Sequence, residues 1–294
     1  MVIDKPGGIT SNRAVTLVRR ATGAKTGHAG TLDPLATGVL PVALGEATKT
    51  VRFAAAGWKR YRFTLRWGIA TDTDDSDGAA TAESATRPSA EAIAAILPRF
   101  IGTLQQSPPA YSAIKVAGRR AYALARAGQT PALAPRTVEI SALASIAIPD
   151  RDHAVFEATV GGGTYVRALG RDLAAALGGL AHVTALRRLA VGRFTEAQAI
   201  SLDSVALLGH SLAASEHLLP IETVLDDIPA LVLEADEAAR LRHGQQVTPR
   251  DPREKAHFDR LVDGTIVGAR HDQLLIAVAR IENGGLRPVR VINR

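Results

Sequence analysis

Gly27-His28-Ala29-Gly30-Thr31-Leu32-Asp33-Pro34-Leu35-Ala36-Thr37-Gly38-Val39-Leu40 is the most informative stretch of this 294-residue chain. One carboxylate, Asp33, stands among Gly27, Gly30 and Gly38, with Pro34 directly after it. Proline fixes its own φ and biases the residue before it away from the helical region. The glycines let backbone approach a neighbouring group closely. Such a loop holds one acid in a fixed pose beside something bulky. Asp-Pro is equally a common turn dipeptide, so on these residues alone Asp33 is either an ordinary turn aspartate or a functional acid.

Working outward, the apolar start Val2-Ile3 runs into Asp4-Lys5-Pro6-Gly7-Gly8, a turn. Thr10 or Ser11 is the candidate cap of a helix over 12–22, which Gly23 stops. Residues 39–43 read as a buried strand and 48–56 as a helix. Residues 59–69 alternate: Tyr61, Phe63, Leu65 and Trp67 share one face, with basic and polar residues on the other. The acidic run Thr71-Asp72-Thr73-Asp74-Asp75-Ser76-Asp77-Gly78 lacks both anchor acids of an EF-hand when aligned on its glycine, and it reads as a solvated turn that could cap nearby basic groups. A helix follows over 89–98, then an ordered loop and hairpin over 106–120 and a helix over 121–127. Strands are expected near 137–147 and 154–160. Three glycines at 161–163 then open a helix over 164–177. A helix over 203–218 and a segment at 220–229 form a connection. From 230 the texture changes to a helix at 235–243, a basic proline-bearing loop at 249–260, and short strands near 265–270, 273–280 and 287–292.

Composition narrows the chemistry. The formal net charge is +6, which suits an anionic partner such as a nucleic acid backbone and is also a plain solubility feature. There is no cysteine, which excludes disulfides, a thiolate nucleophile and the cysteine-ligated zinc of the nucleobase deaminases. No glycine-rich phosphate loop ending in Gly-Lys-Ser/Thr occurs, so ATP hydrolysis is unsupported. Neither a signal peptide nor a membrane span is read from the chain, and a cytoplasmic location is expected.

Three further residues are placed to cooperate with Asp33. Tyr61 projects from the apolar face of its strand, where pattern alone makes it a core tyrosine. Arg167 sits in the first turn of the helix after the triple glycine, where the helix dipole repels a cation, so an anionic partner is called for. Leu186 reads most simply as a core leucine.

Together these segments resemble one family. The Asp-Lys-Pro start, the 27–40 loop, Lys59-Arg60-Tyr61, the acidic run at 71–78, Gln106-Ser-Pro-Pro-Ala-Tyr-Ser-Ala-Ile-Lys-Val116, Gly163-Thr-Tyr-Val-Arg-Ala-Leu169 and Leu186-Arg-Arg-Leu-Ala-Val-Gly192 occur in the order seen in bacterial TruB-type tRNA pseudouridine synthases, which act on uridine 55 in the T loop. The resemblance runs from residue 2 to about 195. It implies that Asp33 is the catalytic aspartate, that Tyr61 stacks on the target base, and that Arg167 pairs with the aspartate. It further implies that His28, Tyr165 and Leu186 line the base pocket, and that Lys5, which it groups with the substrate-binding residues, forms with Pro6 a motif that buttresses the active-site loop.

The fold implied is a mixed α/β (α+β) pseudouridine synthase fold with a largely antiparallel sheet. Residues 1–229 would form the catalytic domain. A small β-rich, PUA-like RNA-binding domain would occupy 230–294. One departure is the run Val160-Gly-Gly-Gly-Thr164, which replaces a more polar turn common in the family.

The reaction implied exchanges a C–N for a C–C glycosidic bond with no redox step, so neither cofactor nor metal is expected. The partner expected is the T stem-loop of tRNA, bound through phosphate contacts from the basic strand face and from Lys115, Arg119 and Arg120. A monomer is expected. A non-catalytic RNA-binding or tRNA-folding protein using the same surface is the competing reading. The intact Asp33–Tyr61–Arg167 set argues against it, because pure binding needs no carboxylate beside a phosphate-rich ligand.

Overall fold

The computed structural model describes residues 1–116, 118–129, 133–209, 211, 216–225, 228–249 and 261–293. Its largest element is a ten-stranded sheet. The strands are β1 (Val2–Lys5), β2 (Thr26–His28), β3 (Thr37–Leu44), β4 (Lys59–Trp67), β5 (Gly102–Gln106), β6 (Arg136–Ala147), β7 (His153–Val160), β8 (Ala181–Val191), β9 (Phe194–Thr195) and β10 (Ala199–Ile200). The order across the sheet is β10-β1-β3-β8-β4-β7-β6-β5, with β9 added to β8 and β2 to β3. Only β1–β10 and β3–β8 pair in parallel, so the sheet is largely antiparallel. The helices are α1 (Ser11–Thr22), α2 (Val51–Ala56), α3 (Ala90–Ile96), α4 (Ala121–Arg126), α5 (Val166–Ala176), α6 (Leu202–Leu208) and α7 (Ala235–Arg242).

Local chemistry explains the pieces that carry the site. Thr10 caps α1 by accepting the Arg13 N–H at 3.1 Å, and Gly23 ends the helix in the left-handed region at φ 66°. Along β4 the expected alternation is met: Tyr61, Phe63, Leu65 and Trp67 are buried, while Arg60, Arg62 and Arg66 are exposed on the opposite face. Phe63 stacks on Phe156 at 5.3 Å, and Trp67 meets Phe156 edge-on at 6.3 Å. Such aromatic pairs each add about 0.5–1.5 kcal/mol beyond their burial. Ala14, Val15 and Val18 of α1, Ile93 and Ile96 of α3, and Leu169 and Leu173 of α5 complete this core. Gly170 lets α5 lie close on β4, since a Cβ there would stand 2.5 Å from Leu65 Cδ2.

Three expectations need correction. The eleven-residue strand β8, at the centre of the sheet, has no counterpart in the sequence reading. Its pairing with β4 shifts register at Val183/Ala185 and again at Arg188/Ala190, which breaks the alternation that would have shown a strand. The helix expected over 48–56 is a 3₁₀ stretch, Gly45–Thr50, followed by α2. The helix expected over 203–218 is α6 alone within the described residues, which exclude 210 and 212–215. Of the basic loop at 249–260, residues 250–260 lie outside the described residues.

The C-terminal strands β11 (Ala230–Val232), β12 (Ile266–His271), β13 (Leu274–Glu282) and β14 (Gly285–Val291) form a second sheet. Its core contains Leu231, Leu241, Val267, Ala277 and Leu286. Against the larger sheet it rests on an apolar seam of Phe53, Leu225, Leu275 and Ile292. Lys49 Nζ caps this seam by donating to Val291 O at 2.8 Å. No helix among the described residues is long and apolar enough to cross a membrane.

The parallel joint between β3 and β8 is closely packed, backbone against backbone. Gly38, at φ 98°, faces Arg188, and a Cβ on Gly38 would stand 2.2 Å from Arg188 O. Gly38→Ala therefore meets both a forbidden backbone region and a backbone clash. Loss of at least about 2 kcal/mol of stability is expected, read as a lowered urea midpoint; an unchanged midpoint would contradict this packing.

Candidate active site

The loop bearing Asp33 is fixed at both ends by side chains whose roles are to hold carbonyls. Because Thr10 takes the cap of α1, the Ser11 hydroxyl is free to bind the loop: it donates to Leu32 O at 3.0 Å and accepts from Leu32 N at 2.8 Å. Lys5 is fully buried and donates to Pro6 O, Ile9 O and Pro34 O at 2.8, 2.8 and 3.3 Å. Gly8 N also donates to Pro34 O at 2.9 Å. Arg188, likewise fully buried, donates from Nη2 to Gly30 O at 2.9 Å and from Nε to Val39 O at 2.7 Å. The Asp33 backbone has little freedom left, while its side chain remains 34% exposed.

Arg167 meets that side chain from α5. Its Nε donates to Asp33 Oδ2 at 2.9 Å, Nη1 to Thr73 O at 2.7 Å and Nη2 to Tyr111 O at 2.9 Å. A second carboxylate, Asp75 Oδ2, lies 3.5 Å from the same Nε and is 6% exposed. Burial pushes the Asp75 carboxyl up, while a hydrogen bond from Thr73 and the Arg167 charge pull the other way. One turn along α5, Arg171 pairs with Asp74 at 2.9 Å and donates to Ser107 O at 2.7 Å. The acidic run at 71–78 is therefore not a solvated turn. Two of its carboxylates face inward onto α5 arginines, so its expected capping of basic groups is what the geometry shows.

Around Asp33 lies a cavity of ≈ 280 Å³ whose walls include Tyr61, Tyr165, Leu186, Lys59, Arg188 and Ser112. That is close to the lower end of ligand pockets, about 300 Å³. Tyr61, which pattern alone made a core residue, is 7% exposed and lines this cavity, as does Leu186. Gln106 fixes Tyr165 by donating to its carbonyl at 3.1 Å and accepting from its N–H at 2.9 Å. A separate apolar cavity of ≈ 240 Å³ by Val42, Phe194 and Leu219 lies away from these groups.

Asp33, Arg167, Tyr61, Tyr165 and Leu186 thus come together as the sequence implied. Two other residues lie off the cavity wall. His28 is on β2 and is not part of the cavity wall; burial and the Arg188 charge pull its imidazole down. Lys5 is wholly enclosed and holds the loop from behind, the buttressing role the resemblance implied, and it is absent from the cavity wall. The basic face of β4 also points away from the cavity, because side chains alternate across the sheet and Tyr61 points in. Arg62 on that face pairs with Glu157. Lys115, Arg119 and Arg120 do form an exposed hairpin beside Ala113 of the cavity wall.

Ser11, Lys59, Asp75 and Arg188 escaped sequence reasoning. Lys59, beside Tyr61, donates to Ala55 O and Gly57 O at 2.7 and 2.8 Å. Its proximity to a recognised motif was the available signal. For Asp75 the signal was the density of the acidic run itself.

A carboxylate held by a guanidinium thus stands at the wall of a cavity flanked by an aromatic ring and a leucine. The architecture has counterparts among solved structures. The Cbf5-Nop10-Gar1 complex contains a chain that superposes with a TM-score of 0.76 at 23% identity, covering 100% of this chain and 84% of that one. The fold is that of the pseudouridine synthases. Residues 18–166 match the TruB family pseudouridylate synthase N-terminal domain, and residues 167–226 match the tRNA pseudouridylate synthase B C-terminal domain. The chain is 52% identical to tRNA pseudouridine synthase B of Bradyrhizobium diazoefficiens over 100% of this chain and 85% of the relative. With the protein of the same name from Rhodopseudomonas palustris it shares 50% identity over 100% of this chain and 80% of the relative. The chain belongs to the TruB family of pseudouridylate synthases.

The cavity wall carries a testable electrostatic signature. Burial first, and then the Arg188 charge, pull the Lys59 ammonium down to about 8. In the unfolded chain it titrates near 10.4. Between these values the unfolded state binds the extra proton, so this group makes stability rise with pH. Urea midpoints measured at pH 8 and pH 10 should rise more for the native protein than for Lys59→Met. Equal changes would contradict the buried ammonium.

Proposed function

We propose that this chain isomerises uridine 55 in the T loop of tRNA to pseudouridine. The observation that carries this reading is the Asp33–Arg167 pair, at 2.9 Å, opening onto the cavity between Tyr61 and Leu186. A uracil cannot turn while stacked, so it must be flipped out of the loop. Tyr61 offers an aromatic face for it, a contact worth about 1–3 kcal/mol, and Leu186 closes the other side without competing hydrogen bonds.

Asp33 acts as nucleophile or base and must be ionised to do so. Arg167 fixes the direction of its carboxylate through the Nε contact. The C1′–N1 bond breaks, the base turns, and C1′ joins C5. N1 gains a proton and C5 loses one, so atoms and charge balance with no oxidant or reductant. The chain acts as a monomer in this reading. Residues 1–229 form the catalytic unit, and 230–294 form a PUA-like module that adds RNA contacts. A cytoplasmic site of action follows from a tRNA substrate.

The test is tritium release from tRNA labelled at uridine C5. The native protein should release it, and Asp33→Asn should bind tRNA yet release none. Release by Asp33→Asn, or none by the native protein, would overturn the assignment. Arg167→Ala should lose activity with Asp33 intact, and normal turnover at neutral pH would count against the pairing role. Affinity should fall steeply with salt, since phosphate contacts release counterions. Arg119→Ala should weaken binding and reduce the slope by about 1, whereas an unchanged slope would exclude that arginine from phosphate contact.

A further inference from the structure

Residues 107–113 carry Ser112 and Ala113 of the cavity wall but belong to no strand. Pro108 and Pro109 have no N–H to offer a ladder. Two carbonyls of this segment are held from α5 instead. Arg167 Nη2 donates to Tyr111 O at 2.9 Å, and Arg171 Nη2 donates to Ser107 O at 2.7 Å. Residues four apart share one face of a helix, so both guanidiniums leave α5 on the same side.

Each arginine ties together the same three elements. Arg167 joins Thr73 O to Tyr111 O, and Arg171 joins the Asp74 carboxylate, at 2.9 Å from Nη1, to Ser107 O. The Arg171 Nε is taken by the adjacent Asp172 at 3.0 Å. Burial pushes the Asp74 carboxyl up, and the Arg171 charge opposes that. Two of the three elements have anchors of their own. Helix α5 lies on β4 through Gly170 against Leu65. The acidic turn is pinned to β8, where Val183 N donates to Asp74 O and Ser76 N donates to Val183 O, each at 3.0 Å. The segment 107–113 is the member whose position the second guanidinium sets. Arg171 itself lies off the cavity wall.

We propose that Arg171 is a positioning residue for the chemistry at Asp33, acting through Arg167, a reading that rests on the proposed function. By holding Ser107 O it sets where Tyr111 O stands four residues later. Tyr111 O in turn receives Nη2 of the Arg167 fork, whose Nε meets Asp33. A guanidinium is planar and rigid, so a shift at one nitrogen's partner turns the whole fork and moves Nε off the carboxylate. Asp74 aims the Arg171 guanidinium, a task that a carboxamide oxygen also performs. The bond to Ser107 O is the part that the reaction depends on.

The test compares full-length Asp74→Asn with Asp74→Asn/Arg171→Met. Asp74 holds a left-handed backbone at φ 60°, which asparagine tolerates. Both proteins lack the ion pair between 74 and 171, and only the second lacks the donor to Ser107 O. Tritium release from C5-labelled tRNA is followed in single turnover at saturating enzyme, and Kd for the T stem-loop is measured beside it. Adding Arg171→Met should lower the single-turnover rate by about tenfold to a hundredfold, the cost of a small misplacement at the reacting centre. Kd should stay the same, because the exposed hairpin cations are untouched. Equal rates for the two proteins, whether high or low, would overturn the inference. A loss carried wholly by Kd would overturn it too, since it assigns Arg171 to RNA binding. Where the double variant is unfolded at the assay temperature, Arg171→Gln, shorter and uncharged, is compared with the native protein by the same criteria. Failure of the native protein to release tritium overturns the proposed function itself. Release by the native protein with a rate insensitive to Arg171 overturns this inference alone.

Discussion

One buried guanidinium joins the parts of this protein that do not adjoin in sequence. Arg167 is 4% exposed, and its three nitrogens reach the Asp33 loop, the acidic turn at Thr73 and the segment at Tyr111. No strand pairing joins these three segments to one another. Removing one partner of such a buried charged cluster typically costs about 3–5 kcal/mol, because the remaining charges lose their compensation. Arg167 therefore sets two things together: the direction of the Asp33 carboxylate and the closure of the 107–113 segment over the cavity. The helix dipole at the start of α5 works against a cation, and two carboxylates with two carbonyls outweigh it.

Three other buried cations follow a different rule. Lys5, Lys59 and Arg188 donate to backbone carbonyls and none pairs directly with a carboxylate in the described structure. Loops that wrap a cavity leave carbonyls that no ladder can satisfy, and a long cationic side chain reaches several at once. The arrangement fixes loop shape while leaving positive charge near Asp33 unneutralised. Burial is the cost, and it shows in Lys5, held down to about 8 by desolvation against the attraction of Asp33. A carboxylate required in its ionised form benefits from that field, which the low dielectric of the interior strengthens.

Much of this was legible in the sequence, and the remainder was hidden for identifiable reasons. Alternation along 59–67 gave both the strand and the inward direction of Tyr61, because a period of two translates directly into faces. Arg167 was visible because a cation at a helix start demands an explanation. Strand β8 was hidden by two register shifts and by Arg188, a charged residue in the middle of a core strand. Ser11 was hidden by competition: two hydroxyls were equally able to cap α1, and only the tertiary fold shows that Thr10 does so while Ser11 binds Leu32. Asp75 was hidden because an acidic run reads as solvated until a partner from elsewhere in the chain is known. Pairings between distant segments are what a local pattern cannot contain.

The division among cations also settles where attraction for a polyanion can arise. Near Asp33 the cationic nitrogens are engaged with carbonyls and carboxylates, and they are enclosed. A phosphate could not displace those bonds without dismantling the loop that positions the acid. Exposed cations lie elsewhere, among them those of the Lys115–Val116 and Arg119–Arg120 hairpin beside the cavity wall and Arg60, Arg62 and Arg66 on the far face of β4. The exposed and the enclosed cations are therefore separate sets of residues. The exposed set can vary in strength with salt while the enclosed set, insulated from counterions, keeps the geometry of the site.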